Sequence, residues 1–192
     1  MNEVCEQAER EIAFCEAILA KGGLTVLSEI FEGVESVAAF EHFPQGDVYD
    51  PQSGAQWYYH CHPAAEGSDE HGHFHCFLRP QGGDGPIHHL IAIGVDRDGR
   101  PLRLFTVNQW VVDDDWADAA ATVLLLERFD VQMPRPSYLV NRWLTAMVSK
   151  WQPQITQLIH ERDRVLAAHV APDGVLTHQD RALEVTSELR IG

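Results

Sequence analysis

The sequence predicts an α+β fold: a central four-stranded antiparallel meander, open or partly barrel-like, with helices before and after it. Three observations lead there. Apolar residues alternate with period two in successive short runs between residues 55 and 110. The links between these runs are short, and short links favour antiparallel neighbours. On both sides of this region the apolar spacing changes to that of helices.

Residues 2–20 carry Val4, Ala8, Ile12, Cys15 and Leu19 near helical spacing. Lys21-Gly22-Gly23 ends this helix, since glycine suits the left-handed C-terminal position. A second helix is expected over 24–33, extending toward Ala39. Residues 43–54, with Pro44, Gly46, Asp47, Asp50, Pro51 and Gly54, read as a long loop. Loops of that length are often functional.

Strands are expected over 55–62, 72–79, 88–95 and 102–110. The link 63–71 is acidic, 80–86 is rich in glycine, and Asp96–Pro101 is a hairpin signal with Gly99 available for positive φ. Asp113, Asp114 and Asp115 then read as the start of a helix running from Trp116 to Arg128, because acids suit a helix N-terminus. Further helices are expected over 138–151, capped by Ser137, over 153–169 and over 178–189. The whole chain reads as one domain: helices in 1–40, the sheet in 55–110 and a helical part in 113–189.

A formal net charge of −15 over 192 residues argues against nucleic acid as a partner, since that binding needs Lys and Arg at phosphates. It also offers no basic surface to anionic lipid. No signal peptide and no membrane-length apolar run is visible, so a cytoplasmic location is expected. Cys5, Cys15, Cys61 and Cys76 form no CxxC pair and read as reduced, mostly buried thiols.

The histidines carry the functional signal. His60, His62, His71, His73, His75, His88 and His89, seven of the eleven, fall within residues 60–89. Residues two apart on a strand share a face. His60 and His62 therefore share one face, and His71, His73 and His75 share the corresponding face of the next strand. With His62 opposite His73, His60 falls opposite His75, each pair with Cβ atoms about 5 Å apart. Sliding by two residues places His71 opposite His62 and keeps the parity. A one-residue slip would break the arrangement and expose the other face, which holds Trp57, Tyr59, Cys61, Phe74, Cys76 and Leu78.

Three or four imidazoles suit a transition-metal ion such as iron, copper or zinc better than calcium or magnesium. The expected ligands are His60, His62, His73 and His75. Tyr58, Glu70 and His71 are the expected catalytic groups; Glu66 and His88, like Glu70 and His71, are candidates for additional ligation or for contacts that support the ligands, and Glu66 or Glu70 for a general base. Arg79 has the parity of the histidines and suits an anion or solvent.

His60-x-His62-x-x-x-Glu66 resembles the first metal motif of the cupins. His71-Gly72-His73-Phe74-His75-Cys76-Phe77-Leu78 resembles the alternating motif of histidine-triad nucleotide hydrolases and transferases, which would make His73 a nucleophile. Gly72 stands where that family carries a bulky apolar residue. Over most of its length the chain resembles an uncharacterised bacterial protein family, through Gly46-Asp47-Val48-Tyr49-Asp50, Tyr58-Tyr59-His60, Glu70–His75, Leu104–Asn108 and Asn141–Thr145. That resemblance implies no activity.

The expectation is a metalloenzyme acting on a small-molecule substrate, an oxidoreductase if its ion is redox-active. A triad-like phosphoryl or nucleotidyl transferase and a non-enzymatic metal sensor are the rival readings. No nucleic acid and no membrane is expected as partner. The cover of the histidine face stays open between the 44–54 loop, the C-terminal helices and a second subunit of a homo-oligomer.

Overall fold

The structure is a computed structural model and describes residues 3–62 and 68–192. Its centre is an antiparallel sheet of six strands in the order β1-β2-β3-β4-β5-β6. They are β1 (Phe43–Tyr49), β2 (Ala55–Cys61), β3 (Gly72–Leu78), β4 (His88–Val95), β5 (Pro101–Val107) and β6 (Val185–Arg190). The helices are α1 (Glu3–Lys21), α2 (Val26–Ile30), α3 (Gln109–Val112), α4 (Ala119–Leu126), α5 (Tyr138–Lys150) and α6 (Gln152–Ala168). The α+β class and the four central strands agree with the sequence reading; the sheet has one more strand on each edge.

Both added strands correct an element. The first covers part of the expected 43–54 loop. Pro44 and Gly46 are tolerated there because β1 is an edge strand, and its pairing with β2 shifts register between Phe43 and Val48. The second replaces the expected 178–189 helix. Thr177–Gln179 forms only a 3-10 turn, and Val185–Arg190 pairs with β5. Thr106 Oγ1 lies 2.8 Å from Thr186 Oγ1 and 2.6 Å from Ser187 Oγ, so these small polar residues bond across the strand pair.

The other helices are shorter than expected in two places. The second helix ends at Ile30, and Thr25 caps it by accepting the Ser28 N–H. The helix expected from Trp116 starts at Ala119, where Asp118 caps it by accepting the Ala121 N–H. The aspartates before it have other work. Asp113 closes α3 in a left-handed conformation, while Asp114 Oδ2 accepts the His89 N–H at 2.9 Å and Asp115 Oδ2 accepts the Ile87 N–H at 2.9 Å. The run thus fixes the start of β4.

One hydrophobic cluster joins Trp57, Tyr59, Phe74, Cys76, Ile91, Ile93 and Leu104 of the sheet to residues of α1, α2, α4, α5 and α6. The expected apolar face is therefore the face the helices cover. Trp57 Nε1–H donates to Asn141 Oδ1 at 2.8 Å, and Trp143 Nε1–H donates to Glu16 Oε1 at 3.0 Å. Each buried indole thus keeps a partner for its one polar atom. Arg142 pairs with Glu11 and Asp130.

Candidate metal centre

The opposite face carries the histidines in register. One transverse row of the sheet reads His60, His73, Gly94, Arg103 and Arg190. The next reads Tyr58, His75, Ala92, Phe105 and Glu188. Directly opposed residues in antiparallel strands share a face, so both rows project to the same side. The β2–β3 pairing is the two-residue slide of the first register considered: His60, not His62, lies opposite His73. Parity survives the slide, and with it the cluster. This face is covered as well: His75 is fully buried, and His60 and His73 are 8 % and 5 % exposed.

His60, His62 and His73 each offer a ring nitrogen, and these atoms all lie within 4.8 Å of one another. The Nε2 atoms of His60 and His73 are 2.7 Å apart. His73 Nδ1 lies 3.0 Å from Glu70 Oε1. Arg103 donates to both oxygens of Glu70, from Nε at 2.6 Å and from the far guanidinium nitrogen at 3.2 Å. Burial alone would raise the Glu70 carboxyl. The hydrogen bonds from His73 and Arg103 outweigh it and hold the group down at about 2. Glu70 is thus an ionised acceptor, and His73 Nδ1 is the donor.

Burial also keeps the His60 and His73 rings neutral. It lowers His60 to about 3, helped by the neighbouring imidazoles, and lowers His73 against the opposing pull of Glu70. A neutral His73 that donates from Nδ1 leaves a lone pair on Nε2. This is the carboxylate–histidine arrangement that orients metal ligands. Gly94 makes room for it: a Cβ there would fall 2.5 Å from Glu70 Oε2 and 3.0 Å from Arg103 Cγ.

His75 stands beside this triad, its ring 5.0 Å from His60 and 4.8 Å from His73. Its Nδ1 lies 3.0 Å from His89 Nε2, and its buried Nε2 has no partner among the described residues. Burial lowers His75 well below the usual imidazole range and His89 to about 3. Tyr58 lies on the same face, stacked at 3.6 Å between ring centres on His42, with its phenol pushed up by burial.

His71 leaves the face that the sequence assigned to it. β3 begins only at Gly72, and the His71 ring turns back so that Nδ1 lies 2.6 Å from the Tyr59 hydroxyl. Gly72 permits this approach, since a Cβ there would fall 2.4 Å from the same hydroxyl. His71, His73 and His75 therefore do not form one alternating set. His88 also departs, its Nδ1 bonding the Asp115 carbonyl. Arg79 donates to Gln56 Oε1 and to the Gly85 carbonyl. Glu66, and with it the second half of the cupin-like motif, lies outside the described residues.

Three participants were not singled out from sequence. Arg103 and Gly94 enter through the strand register. His42 enters through β1: its Nδ1 lies 3.0 Å from Asp47 Oδ1, and Asp47 Oδ2 accepts from Gln56 Nε2 at 2.8 Å. An acid five residues from an isolated histidine is too common in sequence to have marked either position.

A cavity of about 380 Å3 opens on the triad and is lined by His62, His73, Arg103 and Phe105 among others. Fold and site together define an α+β protein whose antiparallel sheet carries a histidine cluster able to hold a metal ion. The chain belongs to the family described as a domain of unknown function (DUF6969), which matches residues 6–191. No curated protein and no solved structure matches it. No helix among the described residues is long and apolar enough to cross a membrane.

Proposed function

We propose that the chain is a metalloenzyme that holds one transition-metal ion with His60, His62 and His73 and acts on a small molecule. The observation that carries this reading is the three ring nitrogens within 4.8 Å of one another. The fixed lone pair of His73 supports it. Nitrogen ligands favour iron, copper or zinc over calcium or magnesium. Three protein ligands leave a position for water or substrate, the pattern of catalytic rather than structural sites. The cavity at His62 and His73 gives that position access.

Each neighbouring group has a role in this reading. Glu70, committed to His73 and Arg103, orients a ligand instead of serving as one of the expected catalytic groups. His75, expected as a fourth ligand, falls outside the group of three and stands beside it with a buried Nε2 unpaired among the described residues. Tyr58 stays a neutral phenol and supplies a hydrogen bond next to His60. His71 belongs to the support of Tyr59. The metal would act as a Lewis acid or lower the pKa of bound water.

Elemental analysis of protein purified without a histidine tag tests the reading. About one equivalent of a transition metal, lost in His60→Ala and His73→Ala, is expected. Less than about a tenth of an equivalent, with no uptake on reconstitution, rejects it.

A further inference from the structure

The row that begins with His60 and His73 ends with two arginines directly opposite each other, Arg103 on β5 and Arg190 on β6. Like charges directly opposed across strands are unfavourable unless something compensates them. Arg103 is compensated: it is bonded to Glu70 and to Glu188 Oε2, the latter at 2.9 Å, and lies over the Phe105 ring at 4.0 Å. Arg190 has no carboxylate within salt-bridge distance among the described residues, yet it lines the same cavity of about 380 Å3 as His62 and His73. The cavity thus has a metal-ligating end and a guanidinium end.

We infer that Arg190 is the subsite for a carboxylate, and that the substrate of the centre is a small organic acid whose second polar group reaches the metal. The inference rests on the metal reading above. It names the substrate class for that site.

Three geometric points support it. The strand spacing puts the His73 and Arg190 backbones about 14 Å apart on one face of the sheet, with the Glu70–Arg103 pair between them. The volume of about 380 Å3 is at the small end for organic ligands and suits a small acid. A guanidinium presents paired donors that match a carboxylate. Asp69 and Glu184 also line the cavity, and Glu70 is neutralised by Arg103. The two remaining acids disfavour a multiply charged anion such as a pyrophosphate. They offer acceptors to a hydroxyl or amino group on the same acid.

The test compares acetate, which carries one carboxylate, with succinate, which carries two. Each is titrated calorimetrically into metal-loaded wild type and Arg190→Gln, with metal content measured on the same samples. Succinate should bind about tenfold or more tightly than acetate in wild type. Arg190→Gln should remove that difference at unchanged metal content, and Arg190→Lys should restore part of it. Equal affinity for the two acids, or a preference that survives Arg190→Gln, overturns the subsite. Tighter binding of inorganic phosphate than of succinate overturns the carboxylate class.

Should the protein take up no metal, the metal reading fails separately. Succinate titrated into metal-free protein then reports on Arg190 alone. Binding abolished by Arg190→Gln supports the subsite, and no binding overturns it.

Discussion

The Nε2 atoms of His60 and His73 lie 2.7 Å apart on directly opposed residues of β2 and β3. His73 donates its Nδ1–H to ionised Glu70, so its Nε2 accepts, and the proton between the two rings belongs to His60. A metal ion would replace that proton. Two nitrogens about 2.0–2.1 Å from a tetrahedral ion sit about 3.3 Å from each other. Loading must therefore spread the rings by about 0.6 Å. A crystal structure of loaded protein should show this widening, with the His73–Glu70 contact intact. An unchanged 2.7 Å contact at full occupancy would place the ion elsewhere.

Glu70→Gln tests the orienting role. Its amide remains a partner for His73 and Arg103 but loses the charge that fixes the tautomer. Metal affinity should fall about 10–100-fold, as is usual for outer partners of ligating histidines. Competition with a chelator measures it, and the circular dichroism spectrum should be unchanged. Complete loss of metal in a folded protein would instead make Glu70 a ligand.

How much of this was legible in the sequence follows from what parity carries. An even register shift leaves every side chain on its face. The location of His60, His62, His73 and His75 was therefore readable although the register was two residues off. Parity says nothing about where a strand starts, and His71 precedes β3, so its ring is free to turn to Tyr59. The β6 segment was missed because its partner β5 is distant in sequence, and Thr177-His178-Gln179-Asp180 imitates a helix start. Arg103 and Gly94 acquire meaning only once β4 and β5 are aligned with β3.

Gly94→Ala tests the space that the Glu70–Arg103 pair occupies. The added methyl would sit 2.5 Å from a Glu70 oxygen. Overpacking of this kind costs about 1–3 kcal/mol. Because the displaced group holds His73, metal affinity should fall together with the unfolding midpoint. Alanine at exposed Gly83, where the added atom comes no nearer than 3.4 Å to the Tyr49 ring, is the control for metal binding. Loss of stability without loss of metal affinity would separate Gly94 from the site.

His71→Ala separates the triad-like reading from the metal reading. His71 bonds Tyr59 and lies outside the ligand set. Metal content should stay at the wild-type level. Stability should fall by about 1–3 kcal/mol, since the Tyr59 hydroxyl loses its partner. A drop in metal content to the level of His73→Ala would return His71 to the centre.

Acid should destabilise the metal-free protein in a defined window. Burial lowers His60 and His89 to about 3 in the folded chain, whereas an unfolded imidazole titrates near its ordinary value of about 6.5. Between these values the unfolded state binds protons that the folded state does not. Stability is then complete above about 6.5 and falls as pH drops toward 3. From pH 7 to pH 5 the linkage amounts to as much as about 2 kcal/mol for each such group. Glu70, held at about 2, begins to lose its contribution only below its ordinary value of about 4.5, so between pH 5 and 7.5 the histidine effect stands alone. Urea unfolding between pH 5 and 7.5 in the presence of a chelator measures the slope. His89→Gln should reduce it by about one proton, because the replaced group no longer titrates. Stability that is flat or rises on acidification would mean that the cluster accepts protons while folded, and a centre of neutral imidazole ligands would then be excluded at that pH.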